Sequence, residues 1–122
     1  PPRSTLFPYT TLFRSVLTKT VVTRHTDYSS MEEELRVMVE RGAKVLNVIV
    51  EHPLYGEITG NLMIFTSADV ERFMEKMREN DGEPLSALTG GVHLHTLEVP
   101  DETTWRSVLE GLREKNYLLE EK

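Results

Sequence analysis

The segment Gly90–Val99, which reads GGVHLHTLEV, constrains the fold more than any other part of the sequence. Its β-branched and polar residues predict a strand over Val92–Val99, and the two glycines before it allow another group to approach the backbone closely. Side chains of a strand alternate between its faces, so residues two apart point the same way. His93 and His95 therefore project from one face of a sheet, close enough together to bind one metal ion.

The position of these two histidines relative to the helices is less strongly constrained, because both faces of the strand carry apolar residues. The simplest arrangement packs Val92 and Leu94 under the helices. His93 and His95 would then lie on the open face of the sheet or in a subunit interface. The alternative interpretation is a solvated surface pair, since a His-x-His pattern often arises by chance.

Capping and turn residues divide the rest of the chain into alternating strands and helices. Helices are expected to begin at Ser29 or Ser30, at Thr66 and at Asp101, and Gly42 ends the first of them. The predicted strands are Val16–His25, Lys44–His52, Glu57–Phe65, Val92–Val99 and Tyr117–Leu119. This β-α-β-β-α-β-α-β order predicts an α+β two-layer sandwich, with helices packed on one face of a mainly antiparallel sheet.

The first residues do not fit this pattern. Ser4–Ser15, STLFPYTTLFRS, is the translation of a widely used sequencing-adapter oligonucleotide. We therefore interpret Pro1–Ser15 as an assembly artefact, exclude it from the fold, and expect one domain over residues 16–122 of a gene that continues upstream. The remainder keeps 12 of the 14 Lys and Arg residues against 20 Asp and Glu, a formal charge of −8, which disfavours direct binding to a phosphate backbone.

Composition also limits the chemistry that is available. The chain has no cysteine, so imidazole and carboxylate are its strong metal ligands, and a reducing cytoplasmic location is expected. No run approaches the roughly 18 apolar residues of a membrane span, and we expect no membrane association. His25 ends the first strand, and Glu32–Glu34 lie in the first turns of the next helix, within reach of that strand's end. Neutral imidazole suits Zn, Ni, Cu or Fe.

The turn EHPLYGE, residues 51–57, is dense in polar and rigid residues for a hairpin. Turn chemistry is the slightly favoured explanation for these residues taken alone. A functional interpretation makes His52 and Tyr55 hydrogen-bond donors to a small polar ligand.

Two long motifs, VIVEHPLYGEI (residues 48–58) and GGVHLHTLEVPD (residues 90–101), closely resemble the three-histidine (3H) domain. That domain is typically the C-terminal half of niacin-responsive transcriptional repressors in bacteria. The resemblance covers the whole segment after the artefact. It implies an HPr-like fold, a homodimer, nicotinic acid as effector, and DNA binding only through a winged helix-turn-helix domain upstream, which is missing here.

The resemblance also implies a set of site residues. The metal ligands would be His25, Glu34, His93 and His95, with Glu33 remaining possible because the spacing after His25 is one residue longer than expected. His52 and Tyr55 match the turn motif and are candidates for ligand contact. The cofactor would be a divalent transition metal, with nickel or zinc favoured.

Taken with the residues, the resemblance implies a metal-containing, nicotinic-acid-sensing effector and dimerisation domain of a repressor of NAD biosynthesis or niacin uptake genes, and not an enzyme. One rival interpretation is a small metal-dependent hydrolase or lyase that uses a metal-bound water. It would need an open coordination position and a nearby general base, for which Glu51 or Glu98 remains. A second rival is a purely structural dimerisation domain with incidental histidines.

Overall fold

The computed structural model describes residues 16–121, so the predicted artefact segment Pro1–Ser15 lies outside the described residues. Among the described residues there are five strands, three α-helices and one 3₁₀ helix. The strands are β1 (Leu17–Arg24), β2 (Lys44–His52), β3 (Gly56–Ile64), β4 (Val92–Val99) and β5 (Leu118–Glu121). The helices are α1 (Tyr28–Glu40), α2 (Ser67–Glu79) and α3 (Glu102–Glu114), and the 3₁₀ helix spans Leu85–Thr89.

The strands form one sheet in the order β3-β2-β4-β1-β5, and every neighbouring pair is antiparallel. The predicted α+β order is therefore confirmed. The histidine strand β4 lies at the centre of the sheet, between β1 and β2. In the register of β1 with β4, Thr23 pairs with His93 and Val21 with His95. Residues of β1 and β4 that share a face thus meet at the centre of the sheet.

A hydrophobic core lies between the sheet and the helix layer. The helix α1 packs against both α2 and α3. The core includes buried side chains of all three helices and of four strands, among them Leu35, Met38, Val45, Met74, Val21, Leu97, Val99, Trp105 and Leu112. None of the helices in the described part of the chain is long and apolar enough to cross a membrane.

The helix starts follow from short-range side-chain caps. Thr66 and Asp69 form the predicted capping box of α2, and Asp101 accepts the N–H of Thr104 at 2.7 Å to cap α3, as predicted. The predicted start of α1 at a serine is wrong. The carboxylate of Asp27 caps this helix by accepting the N–H of Ser30 at 2.7 Å, which places both serines inside the first turn.

The predicted orientation of the histidine strand is also wrong. His93 and His95 are 2% and 3% exposed and share their face with Leu97 and Val99, so they point towards the helices. Leu94 lies on the opposite face. Alternation alone could not decide between the two faces, because both carry apolar residues. Burial of the two imidazoles becomes possible because α1 places a carboxylate against them and backbone carbonyls accept from their other ring nitrogens.

Candidate metal centre

Three elements bring the predicted donor residues together. His25 follows the last residue of β1, Glu34 lies in the middle of α1, and His93 and His95 lie on β4. The Nε2 atoms of all three histidines point at the Glu34 carboxylate. The shortest Nε2–oxygen distances are 2.9 Å for His25, 3.2 Å for His93 and 3.1 Å for His95. The Glu34 side chain is completely buried, so the cluster is shielded from bulk water.

The other ring nitrogens identify the tautomers of two histidines. Nδ1 of His93 lies 2.9 Å from the carbonyl oxygen of Gly91, and Nδ1 of His95 lies 2.7 Å from that of Asn47. A carbonyl oxygen only accepts, so Nδ1 carries the proton in both rings. In the neutral rings Nε2 then presents a lone pair towards Glu34, which also only accepts when ionised. Positive charge must therefore be supplied at this point, either by protons on the rings or by a cation between them.

The electrostatics of the cluster agree with this requirement. Burial opposes ionisation of Glu34, but the facing imidazoles of His95 and His93 outweigh it and hold the pKa of this carboxyl well below its usual range. Burial in turn opposes the charged form of His93, yet the Glu34 carboxylate raises the pKa of His93 overall. The centre thus favours an anionic glutamate surrounded by groups that carry or bind positive charge.

This donor set suits a divalent transition metal. Candidate ligand atoms of His25, Glu34 and His93 all lie within 4.8 Å of one another, and these three buried residues could hold a metal ion. His95 contacts the same carboxylate from the next inward position of β4. Metal-binding histidines usually donate the second ring N–H to a carbonyl or carboxylate, as His93 and His95 do here. Imidazole and carboxylate donors are compatible with both nickel and zinc.

The alternative carboxylate, Glu33, points elsewhere. Its side chain accepts from the hydroxyl of Tyr117 at 2.5 Å and pairs with Lys115 at 3.3 Å. The Tyr117 ring in turn contacts His25 edge to face, with centroids 6.1 Å apart. Glu33 therefore lies on the far side of this contact, and Glu34 is the carboxylate that meets the histidines.

Two supporting residues were not singled out from the sequence. Asn47 lies where the pairing of β2 with β4 changes register; its backbone carbonyl accepts from His95 and its side chain accepts the N–H of Thr96 at 3.0 Å. The buried Thr23 hydroxyl lies 3.0 Å from Nε2 of His93. The register of β1 could have indicated Thr23, whereas no local pattern marks the irregularity at Asn47.

The close approach predicted at the two glycines occurs at Gly91. A Cβ atom on this residue would lie 2.3 Å from the carbonyl oxygen of His25, and its φ is +96°. The same pair is joined by a hydrogen bond from the His25 N–H to the Gly91 carbonyl. The absence of a side chain at Gly91 therefore allows the chain carrying His25 to reach the start of β4.

A cavity of about 300 Å³ lies directly on the cluster. Its floor contains all four predicted ligand residues, and its walls are mostly apolar. The wall residues come from α1, the β2–β3 hairpin, α2 and the segment before β4, namely Met31, Leu35, Val48, Gly60, Asn61, Leu62, Phe73, Met77, Glu83, Pro84, Leu85 and Ser86. An apolar cavity with a few convergent polar groups is typical of a small-molecule site.

The predicted ligand contacts His52 and Tyr55 are not among the residues that line this cavity. They lie in the β2–β3 turn, where their rings stack with centroids 5.0 Å apart. Nδ1 of His52 accepts the N–H groups of Leu54 and Tyr55 at 3.1 and 3.2 Å, and Tyr55 is 73% exposed. In the structure, then, these two residues organise the turn.

The fold and the buried donor set define an α+β domain built around a candidate metal centre beside a small-molecule cavity. The chain belongs to the 3H domain family, whose model matches residues 18–121. It is 40% identical over 108 residues to the probable transcription repressor NiaR of Thermotoga maritima, which covers 88% of this chain and 61% of that protein. It is 39% identical over 90 residues to the transcription repressor NadR of Bacillus subtilis, covering 74% of this chain and 50% of that protein.

The chain thus spans between half and two thirds of the length of these relatives. Both relatives are named as transcription repressors and neither as an enzyme. The expectation that this domain is not an enzyme agrees with the names of both relatives.

Proposed function

We propose that this domain is the metal-containing, nicotinic-acid-sensing effector and dimerisation domain of a cytoplasmic transcriptional repressor of NAD biosynthesis or niacin uptake genes. The observation that carries the proposal is the position of the buried cluster. Three imidazoles and the Glu34 carboxylate form the floor of an apolar cavity, in a chain whose relatives are transcription repressors. Nicotinic acid as the effector rests on the resemblance to the niacin-responsive family.

The chemistry of the cavity suits a small aromatic acid. Apolar side chains such as Leu62 and Phe73 can cover the faces of a flat ring. A divalent cation bound by His25, Glu34, His93 and His95 would supply the positive charge that a carboxylate or a pyridine nitrogen requires. Because the histidines and Glu34 face the cavity, binding of the acid would be coupled to occupation of the metal centre.

DNA binding is proposed for a winged helix-turn-helix domain upstream in the parent protein, not for this chain. The formal charge of −6 for the whole sequence is unfavourable for contact with a phosphate backbone.

A homodimer of this domain would hold two upstream DNA-binding domains at a defined spacing. The effector would act by favouring one such spacing. A molar mass of twice the chain mass in light scattering is the expected result, and a monomer at all concentrations would contradict this part.

His52 and Tyr55 remain proposed effector contacts at the hairpin tip. If they contact the effector, His52→Ala should weaken nicotinic acid binding while leaving the metal content unchanged. An unchanged affinity would show that their role is confined to the turn that they organise in the structure.

Calorimetric titration of nicotinic acid into the metal-loaded chain tests the proposal, with nicotinamide as the control ligand and the chelated chain as the control protein. Saturable binding that prefers the acid and disappears after chelation is expected. Heat that is identical for acid and amide, or binding that persists in the metal-free chain, would contradict the proposal.

A further inference from the structure

Ser86 is a buried polar residue that the metal centre does not use. Its side chain belongs to the 3₁₀ helix before β4, lines the cavity over the cluster, and is 4% exposed. Its backbone is held firmly, because the Ser86 carbonyl accepts the N–H of Gly91 at 2.9 Å and the hydroxyl of Thr89 at 3.2 Å. The residue therefore has a fixed position beside the cavity.

The structure gives the Ser86 hydroxyl no hydrogen bond to any other residue in the described range 16–121, and the bonds that it gives to Ser86 are made by the backbone carbonyl. A buried hydroxyl without a partner is unfavourable, and most such groups in proteins have one. Alanine would fill the same position without this cost. The serine is therefore best explained by a partner that the described residues do not supply.

The surroundings limit what this partner can be. The same cavity contains the metal centre, whose cation would hold an anionic group, and its remaining walls are mostly apolar, with Asn61 and Glu83 as the other polar side chains. A second cavity of about 440 Å³ borders the first and shares four lining residues with it, namely His25, Glu83, Pro84 and Ser86. Ser86 thus lies where a ligand could reach the centre, at the edge of its apolar walls.

We infer that the Ser86 hydroxyl donates a hydrogen bond to an acceptor atom in the ring of the effector, while the carboxylate of the effector faces the metal centre. This inference rests on the proposed function. It predicts selection for a heteroaromatic acid over the carbocyclic acid of the same shape. A pyridine nitrogen accepts this hydrogen bond, whereas the C–H group at the same position in benzoic acid leaves the hydroxyl without a partner.

The test is a calorimetric comparison of nicotinic acid and benzoic acid on the metal-loaded chain and on its Ser86→Ala variant. Ser86→Ala should weaken nicotinic acid binding about tenfold, the usual effect of one lost hydrogen bond, and should change benzoic acid binding by less than about twofold. Ser86→Cys, which keeps the side-chain shape with a weaker donor, should show an intermediate loss. Ser67→Ala, a half-buried serine at the start of α2 outside the cavity, is the matched control and should bind both acids normally.

Thermal melting without effector separates recognition from folding. Because the hydroxyl has no partner among the residues that the structure describes, Ser86→Ala should melt at the wild-type temperature or above it. Equal losses for both acids, or no loss for nicotinic acid, would overturn the inference while leaving the proposed function standing. Failure of the wild-type metal-loaded chain to bind nicotinic acid would overturn the proposed function and this inference together.

Discussion

Replacement of Glu34 by glutamine removes the negative charge at the centre of the cluster while keeping the size of the side chain. In the metal-free protein Glu34 raises the pKa of His93, so that the carboxylate accepts a charge-assisted hydrogen bond from Nε2 of this ring at 3.2 Å. The amide of Glu34→Gln instead donates to a neutral Nε2, and replacing a charge-assisted hydrogen bond by a neutral one should cost about 1.5–3 kcal/mol in the free energy of unfolding. The larger effect should appear when metal is added.

The metal-induced stabilisation gives the magnitude to be measured. At a free metal concentration 100 times the dissociation constant, binding stabilises the wild type by about 2.7 kcal/mol, which corresponds to a rise of roughly 10–15 °C in melting temperature for a domain of this size. If the loss of Glu34 weakens binding 100-fold, about 0.4 kcal/mol remains at the same concentration. Melting curves of chelated and of nickel- or zinc-saturated Glu34→Gln should therefore nearly coincide.

Glu33→Gln is the matched control for this experiment, because it makes the same chemical change one residue earlier on the same helix. The Glu33 side chain contacts Tyr117 and Lys115 and not the histidine Nε2 atoms. It should keep the full metal-induced shift. A full shift in Glu34→Gln, or its loss in Glu33→Gln, would refute the assignment of Glu34 as the ligand.

Three further substitutions, one of them with a matched control, test the local structure and the cavity wall. Gly91→Ala should prevent folding, or lower the free energy of unfolding by more than about 3 kcal/mol in a denaturant titration, because its Cβ would overlap the His25 carbonyl. Gly90→Ala is the control. No atom lies within 4 Å of its Cβ, so it should lower the free energy of unfolding by only about 1 kcal/mol, the cost of its positive φ. Gly60→Ala should fold normally, since its Cβ makes only ordinary contacts, and should weaken nicotinic acid binding by narrowing the cavity; unchanged affinity would exclude this wall from the site. Thr66→Ala should lower the free energy of unfolding by about 1 kcal/mol through loss of the α2 cap without changing metal binding; equal stability would contradict the cap.

The fold could be predicted from the sequence where its signals are local. The capping box of Thr66 and Asp69 spans three residues, and Gly42, which ends α1, has the positive φ of +111° that such an ending requires. The hairpin of β2 and β3 was also predictable from its apolar strands and its Pro–Gly turn. The observed helix boundaries differ from the predicted ones by one or two residues where several polar residues could serve as the N-cap, as with Asp27 before α1.

The site was only partly predictable, because its decisive contacts join distant parts of the chain. The spacing of His93 and His95 placed both rings on one face, but whether this face is inward depends on Glu34, about 60 residues earlier. Which of Glu33 and Glu34 faces the histidines depends on how α1 is rotated about its axis. This rotation is set only when the apolar side of α1 packs against the core. No local sequence pattern marked Asn47 or Ser86. Asn47 contributes through an irregular pairing of β2 with β4, and Ser86 through its burial beside the cavity.

X-ray absorption spectroscopy of the nickel- or zinc-loaded chain is the most direct test of the metal centre. The account predicts a first shell of nitrogen and oxygen without sulfur, with outer-shell scattering from three imidazoles, and a change in this spectrum when nicotinic acid is added. The Glu34→Gln variant should lose metal at the same concentration. A spectrum without imidazole scattering, or one that is unchanged by both nicotinic acid and Glu34→Gln, would contradict the central claim.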